Sequence, residues 1–157
     1  MSNPKMRRAD REITDLEAIL DVIRASQVCR VAMCCEDGPY IVPMSFGLGE
    51  GCLYLHSAGE GRKLEVLKSD PRVCVEFEAN VELLPSGNPC AIGFRYRSAL
   101  VFGEAEFVTD CAEKQRGLDA IVAQYAQGME PVPASALDGV TVVRVDITRM
   151  TGKKAHC

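Results

Sequence analysis

Residues 55–63 read Leu-His-Ser-Ala-Gly-Glu-Gly-Arg-Lys. This stretch holds one of only two histidines in the chain, a serine, two glycines and two adjacent cations. It follows the alternating run 52–57 and leads into a short helical pattern, 60–69, that stops at Asp70-Pro71. The N-terminus of a helix presents unpaired N–H groups and the positive end of the peptide dipole, which together favour a phosphate. Ser57 can donate a hydroxyl, and Gly59 and Gly61 let backbone approach a ligand closely. Arg62 can grip two phosphate oxygens with parallel bonds, and Lys63 adds a point charge. The spacing is not that of a Walker A loop, and Gly59-x-Gly61 lacks the third glycine of a dinucleotide fingerprint. Taken alone, the stretch reads either as a phosphate cradle or as a glycine turn with two solvated cations opening a surface helix.

Two further clusters carry charge. In 95–98, Arg95 and Arg97 fall on one side of a strand and Tyr96 and Ser98 on the other. The arginines suit a second anionic group or surface ion pairs with the abundant glutamates. Near the C-terminus, Thr151-Gly152-Lys153-Lys154 is a third basic cluster, in a segment read as a tail. His56 is a candidate proton donor, because imidazole changes charge near neutral pH; its alternative role is a hydrogen bond that orients the turn. His156, one residue from the end, is expected to be disordered. The eight cysteines include no Cys-x-x-Cys, and most sit in apolar strand-like runs. They are expected to be buried free thiols in a reducing compartment, with no metal site.

These groups must be positioned by a chain of 157 residues, a length that suits one domain spanning 1–157. Eighteen Lys and Arg against 22 Asp and Glu give a net charge of −4, so no general affinity for nucleic acid is expected. No apolar run approaches the roughly 20 residues of a membrane span, and the polar N-terminus lacks the apolar core of a signal peptide. A cytoplasmic location without membrane association is the expectation.

The periodicities predict a helix over 14–25, with Thr14 and Glu17 at capping-box spacing. Strands follow at 28–35, 40–46 and 52–57, with Pro43 marking an edge or bulge. A clean alternation over 72–78 predicts another strand, and 79–90 reads as a loop. The run 91–108 is too long for one flat strand, and Gly103 marks a bulge or bend. Asp110 and Glu113 open a helix that carries Leu118, Ile121, Val122 and Tyr125 and ends at Gly128. A last strand over 139–150 is apolar on both faces and therefore central. Many consecutive strands with few helices argue for a mainly β fold: an antiparallel closed or split barrel with flanking helices.

In order along the chain, MRRADREI, CRVAM, PYIVPMSFG, LYLHSAGEGRKLEVL, PRVCVEFE, YRSALVFGEAE and ITRMTGKK resemble the FMN-binding split-barrel proteins related to pyridoxamine 5'-phosphate oxidase. Within these the sequence is most similar to the 5-nitroimidazole reductase (nitroimidazole-resistance) branch. The resemblance implies a homodimer of six-stranded antiparallel split barrels with FMN in clefts at the subunit interface. It implies ring contacts from Pro43, Met44 and Ser45, and a phosphate end held by His56, Ser57, Arg62 and Lys63. Tyr96, Arg97 and Ser98 form a further cofactor-binding set, from the partner subunit, and Lys153 closes the site. The C-terminus departs from the pyridoxamine 5'-phosphate oxidases themselves, whose arginine- and histidine-rich substrate motif is replaced by TGKKAHC, so vitamin B6 oxidation is not expected. The implied activity is FMN-dependent reduction of a small-molecule acceptor, such as a nitroaromatic, by a nicotinamide or other electron donor. The alternative is a non-catalytic flavin- or heme-binding protein of the same barrel.

Overall fold

The computed structural model describes residues 6–126 and 128–157. Residues 1–5 of the polar N-terminus, and residue 127 just before Gly128, lie outside the described set.

The strands are β1 (Glu12–Ile13), β2 (Cys29–Cys35), β3 (Gly38–Met44), β4 (Phe46–Leu48), β5 (Cys52–Ser57), β6 (Arg72–Leu84), β7 (Gly93–Phe107) and β8 (Thr141–Ala155). The helices are α1 (Leu16–Ala25), α2 (Arg62–Ser69) and α3 (Cys111–Tyr125). Hydrogen bonding runs in the order β3-β2-β6-β7-β8-β5-β4, with β1 beside β8 off this path, and every pair is antiparallel. The two ends of the path, β3 and β4, are separated in sequence by Ser45 alone. They are two halves of one bent strand, so the sheet rolls up on itself. Eight strands are therefore present where six were expected; with the bent strand taken once and the two-residue β1 set aside, six form the roll. The bend has a local cause: the Phe46 N–H leaves the ladder and donates to the Tyr125 hydroxyl at 3.1 Å.

Alternation sorts each strand into an inner and an outer row. Val31, Met33, Leu53, Leu55, Val75, Phe77, Val101 and Val145 fill the interior. Ile19, Val22 and Ile23 of α1 and Leu64 and Leu67 of α2 join the same cluster. Outside the roll, Leu118 and Ile121 of α3 pack on Cys52, Tyr54 and Val142. Contact there is close: a Cβ on Gly47 would sit 2.5 Å from the α3 backbone at Ala120 and Ile121. Arg144 of β8 locks the same helix by donating to Glu113 at 2.7 Å, with Asp146 at 2.9 Å and Glu106 at 3.2 Å.

The outer face of β3, β2, β6, β7 and the C-terminal half of β8 carries no helix of this kind. Register places Ile41, Ala32, Cys74, Phe102 and Arg149 in one cross-strand row, and Pro43, Arg30, Glu76, Leu100 and Thr151 in the next. Ile41 is 59% exposed and Leu100 36%. Arg149 lies over the Phe102 ring, 3.8 Å from its centroid.

Several boundaries differ from the sequence expectation. Asp15, not Thr14, caps α1, accepting from Ala18 N at 3.2 Å. Asp110 caps α3 as expected, accepting from Glu113 N at 2.8 Å, but the helix stops at Tyr125 rather than Gly128. The expected loop over 79–90 is in part strand: β6 continues to Leu84, and Glu82–Leu84 pairs with Gly93–Arg95 as a projecting arm. Asn80 and Val81 absorb a register shift where the arm begins, with Asn80 at φ +56°. Only the β6 half of the arm departs from expectation, because its Val81 and Leu83 stay more than half exposed, without the buried-face pattern of a barrel strand; the β7 half falls within the strand expected over 91–108. The supposed tail 151–155 is also strand, held between β7 and β1. His156 is described too, and its carbonyl accepts from Arg95 Nε at 3.0 Å. The bulge expected at Gly103 is present, and a Cβ there would meet the Asp146 carbonyl oxygen at 2.3 Å.

Candidate functional site

β5 ends at Ser57, and the turn 58–61 carries the chain to α2. Ser57 is 6% exposed, and its Oγ is fully buried without a hydrogen-bond partner among the described residues. A buried hydroxyl in that state costs free energy, so it calls for a ligand or a functional account. The turn in front of it is open: a Cβ at Gly59 or Gly61 would meet nothing within 4 Å. Gly61, at φ +132°, precedes the helix and offers no side-chain cap. The Leu64 and Glu65 N–H groups bond the Gly61 carbonyl, which leaves the Arg62 and Lys63 N–H groups without helical partners. A buried hydroxyl, two free amides and two cations thus lie along one turn, a donor set that fits a phosphate.

Arg62 reaches across to the β2–β3 turn. Its guanidinium lies 3.4 Å from Asp37 Oδ2 and 3.7 Å from Cys35 Sγ, and 4.8 Å from the Tyr40 ring centroid. The Arg62 and Asp37 side chains are 55% and 88% exposed, so this ion pair is worth under ~1 kcal/mol and does not commit the guanidinium. Cys35, Asp37 and Tyr40 escaped the sequence reading, because only the packing of α2 against the β2–β3 hairpin brings them here.

The other expected residues divide by face. Pro43 lies on the uncovered outer face, opposite Arg30. Met44 turns inward onto the core opposite Cys29, and Ser45 is exposed at the bend. His56 is exposed and, as the neighbour of Ser57 on a strand, points to the other side of the sheet. Tyr96 and Ser98 share the outer face with Pro43, and Ser98 pairs with Lys153, whose other neighbour is Glu12. Arg97 has the opposite parity. Its Nε and Nη2 donate to Asn80 Oδ1 at 3.0 and 2.6 Å.

One chain does not bring the cradle and the Ser98–Lys153 pair together. Ser57 pairs with Thr141, at the start of β8, and Ser98 with Lys153, near its end. Extended at about 3.3 Å per residue, that separation is on the order of 40 Å along the strand.

The cysteines depart from expectation. Cys29 and Cys52 are buried, but Cys34, Cys90, Cys111 and Cys157 are exposed, and all eight are free thiols. Burial pushes Cys29 up to about 12 and raises Cys52 and Cys74 as well. Among the described residues no group of three His, Cys, Asp or Glu side chains is placed to hold a metal ion, and no helix is long and apolar enough to cross a membrane.

The family model for pyridoxamine 5'-phosphate oxidase matches residues 15–154, and the chain belongs to this family. Among solved structures it is similar to a candidate 5-nitroimidazole antibiotic resistance protein from Bacteroides thetaiotaomicron. The two are 35% identical with a TM-score of 0.81, over 91% of this chain and 86% of that one. The FAD and heme binding protein from Mycobacterium smegmatis shares the fold, with a TM-score of 0.82 at 21% identity, over 94% of this chain and 74% of that one. A curated relative, an uncharacterized protein of Rhizobium meliloti, is 36% identical over 62 residues. That match spans 38% of this chain and 40% of the relative's length.

Proposed function

We propose that the protein is a flavin-dependent oxidoreductase that acts as a homodimer, holds FMN, and reduces a small acceptor of the nitroaromatic class, such as a 5-nitroimidazole. The observation that carries this reading is the buried, unpartnered Ser57 hydroxyl beside the uncapped start of α2. In this reading Ser57, Arg62, Lys63 and the two free amides hold the phosphate, and His56 orients the turn from its other side. When bound, the flavin would supply the redox chemistry, taking electrons from a donor and passing them to the acceptor. Pro43, Met44 and Ser45 would border the ring at the bend between β3 and β4. Lys153 near the end of β8, and Tyr96 and Ser98 beside it on β7, would come from the partner subunit, since they lie too far from the start of β8 to complete the cradle of their own chain. Arg97 is left out of this set, because its guanidinium is turned to the opposite face.

The uncovered outer face supports the dimer. Ile41, Pro43, Leu100 and Phe102 form an apolar surface around the Arg30–Glu76–Glu78 ion pairs, and its aromatic row continues onto the arm through Tyr96 and Phe94. Apolar side chains grouped on a sheet face that carries no helix are a common mark of an interaction surface. The 35% identity to the candidate resistance protein supports the acceptor class.

The test is the visible spectrum of the purified full chain, before and after added FMN, followed by anaerobic NADH or NADPH and then a 5-nitroimidazole. Flavin bands that bleach with donor and return with the nitro compound are expected. Flavin bands that resist every donor would leave a non-catalytic flavin-binding protein. A Soret band, or no uptake of FMN, would overturn the proposal.

A further inference from the structure

Where the arm leaves the barrel, β7 presents different chemistry on its two sides. Tyr96 and Ser98 belong to the outer face. On the opposite side, Arg95 and Arg97 line a cleft of about 590 Å³ together with Asn80, Val81, Glu82 and Cys157. Lys154, exposed and paired with Arg97 across the ladder, adds a third cation on that side. Glu82 is the one carboxylate among the cleft side chains, donated to by Arg95 Nη1 at 2.8 Å. Both partners are about half exposed, so the pair is weak and Arg95 can exchange it for a ligand oxygen. In a chain of net charge −4, Arg95, Arg97 and Lys154 against Glu82 and the main-chain carboxylate of Cys157 still leave this side net positive.

The site is also ordered. Asn80 sits in the left-handed region, at the register shift, and its amide oxygen takes two bonds from Arg97. An amide fixes the guanidinium plane without neutralising it, and these two bonds leave Nη1 uncommitted. Arg95 is fixed in turn by the His156 carbonyl and Glu82. The two arginines stand two residues apart on one strand face, a Cα spacing of roughly 7 Å. That spacing suits two adjacent phosphate groups, or one phosphate gripped from both sides.

We propose that this cleft is a second anion site, separate from the turn at Ser57, which takes the phosphate or pyrophosphate group of a small ligand. The ligand is either a dinucleotide electron donor or a phosphorylated acceptor. The anion site itself stands apart from the flavin reading, since no residue is shared between the two sites; naming its ligand as an electron donor or an acceptor rests on that reading.

Calorimetric titration of the full chain with inorganic pyrophosphate tests it, in FMN-saturated and FMN-free protein. Binding is expected in both, weakened at least tenfold by Arg95→Ala with Arg97→Ala and strengthened by Glu82→Gln. It should be unchanged by Arg62→Ala with Lys63→Ala in FMN-saturated protein. FMN affinity should move less than twofold in the Arg95/Arg97 variant, which also shows that the variant is folded. Adenosine diphosphate binding more tightly than phenyl phosphate would identify the dinucleotide source, and the reverse the phosphorylated acceptor. Pyrophosphate binding that is equal in wild type and the Arg95/Arg97 variant, or weaker than about 1 mM in wild type, overturns the proposal.

Discussion

Ser57→Ala should move stability and cofactor affinity in opposite directions. Without ligand, the Ser57 hydroxyl is buried and unpartnered, a state that costs about 1–3 kcal/mol. Removing it relieves that cost and leaves a void smaller than a methyl group, so the free protein should gain about 1 kcal/mol. For a domain of this size that is a rise of roughly 2–4 °C in Tm. With FMN bound, the same change deletes one hydrogen bond to a charged phosphate oxygen, worth about 1.5–3 kcal/mol. FMN affinity should fall between about tenfold and a hundredfold. Thermal denaturation of the FMN-free chain, and fluorescence titration with FMN, read the two effects separately. An FMN-free variant that melts below wild type, with FMN affinity intact, would show that the hydroxyl serves the fold, and the phosphate cradle would lose its main support.

Arg62→Ala with Lys63→Ala should weaken FMN binding by about 2–5 kcal/mol in the same titration, with little effect on Tm, because both side chains lie at the surface of α2. Gly103→Ala drives a Cβ into the Asp146 carbonyl oxygen, and calorimetry should show a loss of about 2 kcal/mol or more. Ile41→Asp with Phe94→Glu places two charges on the uncovered face, and sedimentation at micromolar concentration should show monomers where wild type shows dimers. In thiol titration, Cys34, Cys90, Cys111 and Cys157 should react in the native protein unless the dimer covers them. Cys29, held protonated by burial to about 12, should react only on unfolding, even at mildly alkaline pH.

Period-two alternation made most strands legible, because a buried inner row marks them wherever one face meets a core. It failed where that contrast disappears. The arm strands of β6 and β7 expose apolar residues on a projecting hairpin, so Val81 and Leu83 looked like loop. Thr151 to Ala155 offered small and basic residues and looked like a tail, yet pairing with β1 and β7 makes them strand. The bend at Ser45 was also invisible, since its cause is a hydroxyl on Tyr125, far away in sequence.

The site was legible in residue type and only partly in direction. Strand geometry alone separates His56 from Ser57 and Arg97 from Ser98, and the opposed faces of Arg95/Arg97 and Tyr96/Ser98 follow from period two. Which face is open does not follow from it. That depends on α3 packing on β4, β5 and the first half of β8, with Gly47 and Gly117 small enough to admit it, while the outer faces of β2, β3 and β6 lie away from α3. Because α3 covers one side of the roll, the remaining outer face is where a second copy can seat. Because β8 is long, the residues that would finish the cradle stand at its far end. Both facts support the proposed dimer, in which the cradle of one chain would lie opposite Ser98 and Lys153 of the other. The sedimentation and FMN titrations above should therefore fail together in the Ile41/Phe94 variant. Monomers that keep full FMN affinity would show that one chain holds the cofactor alone.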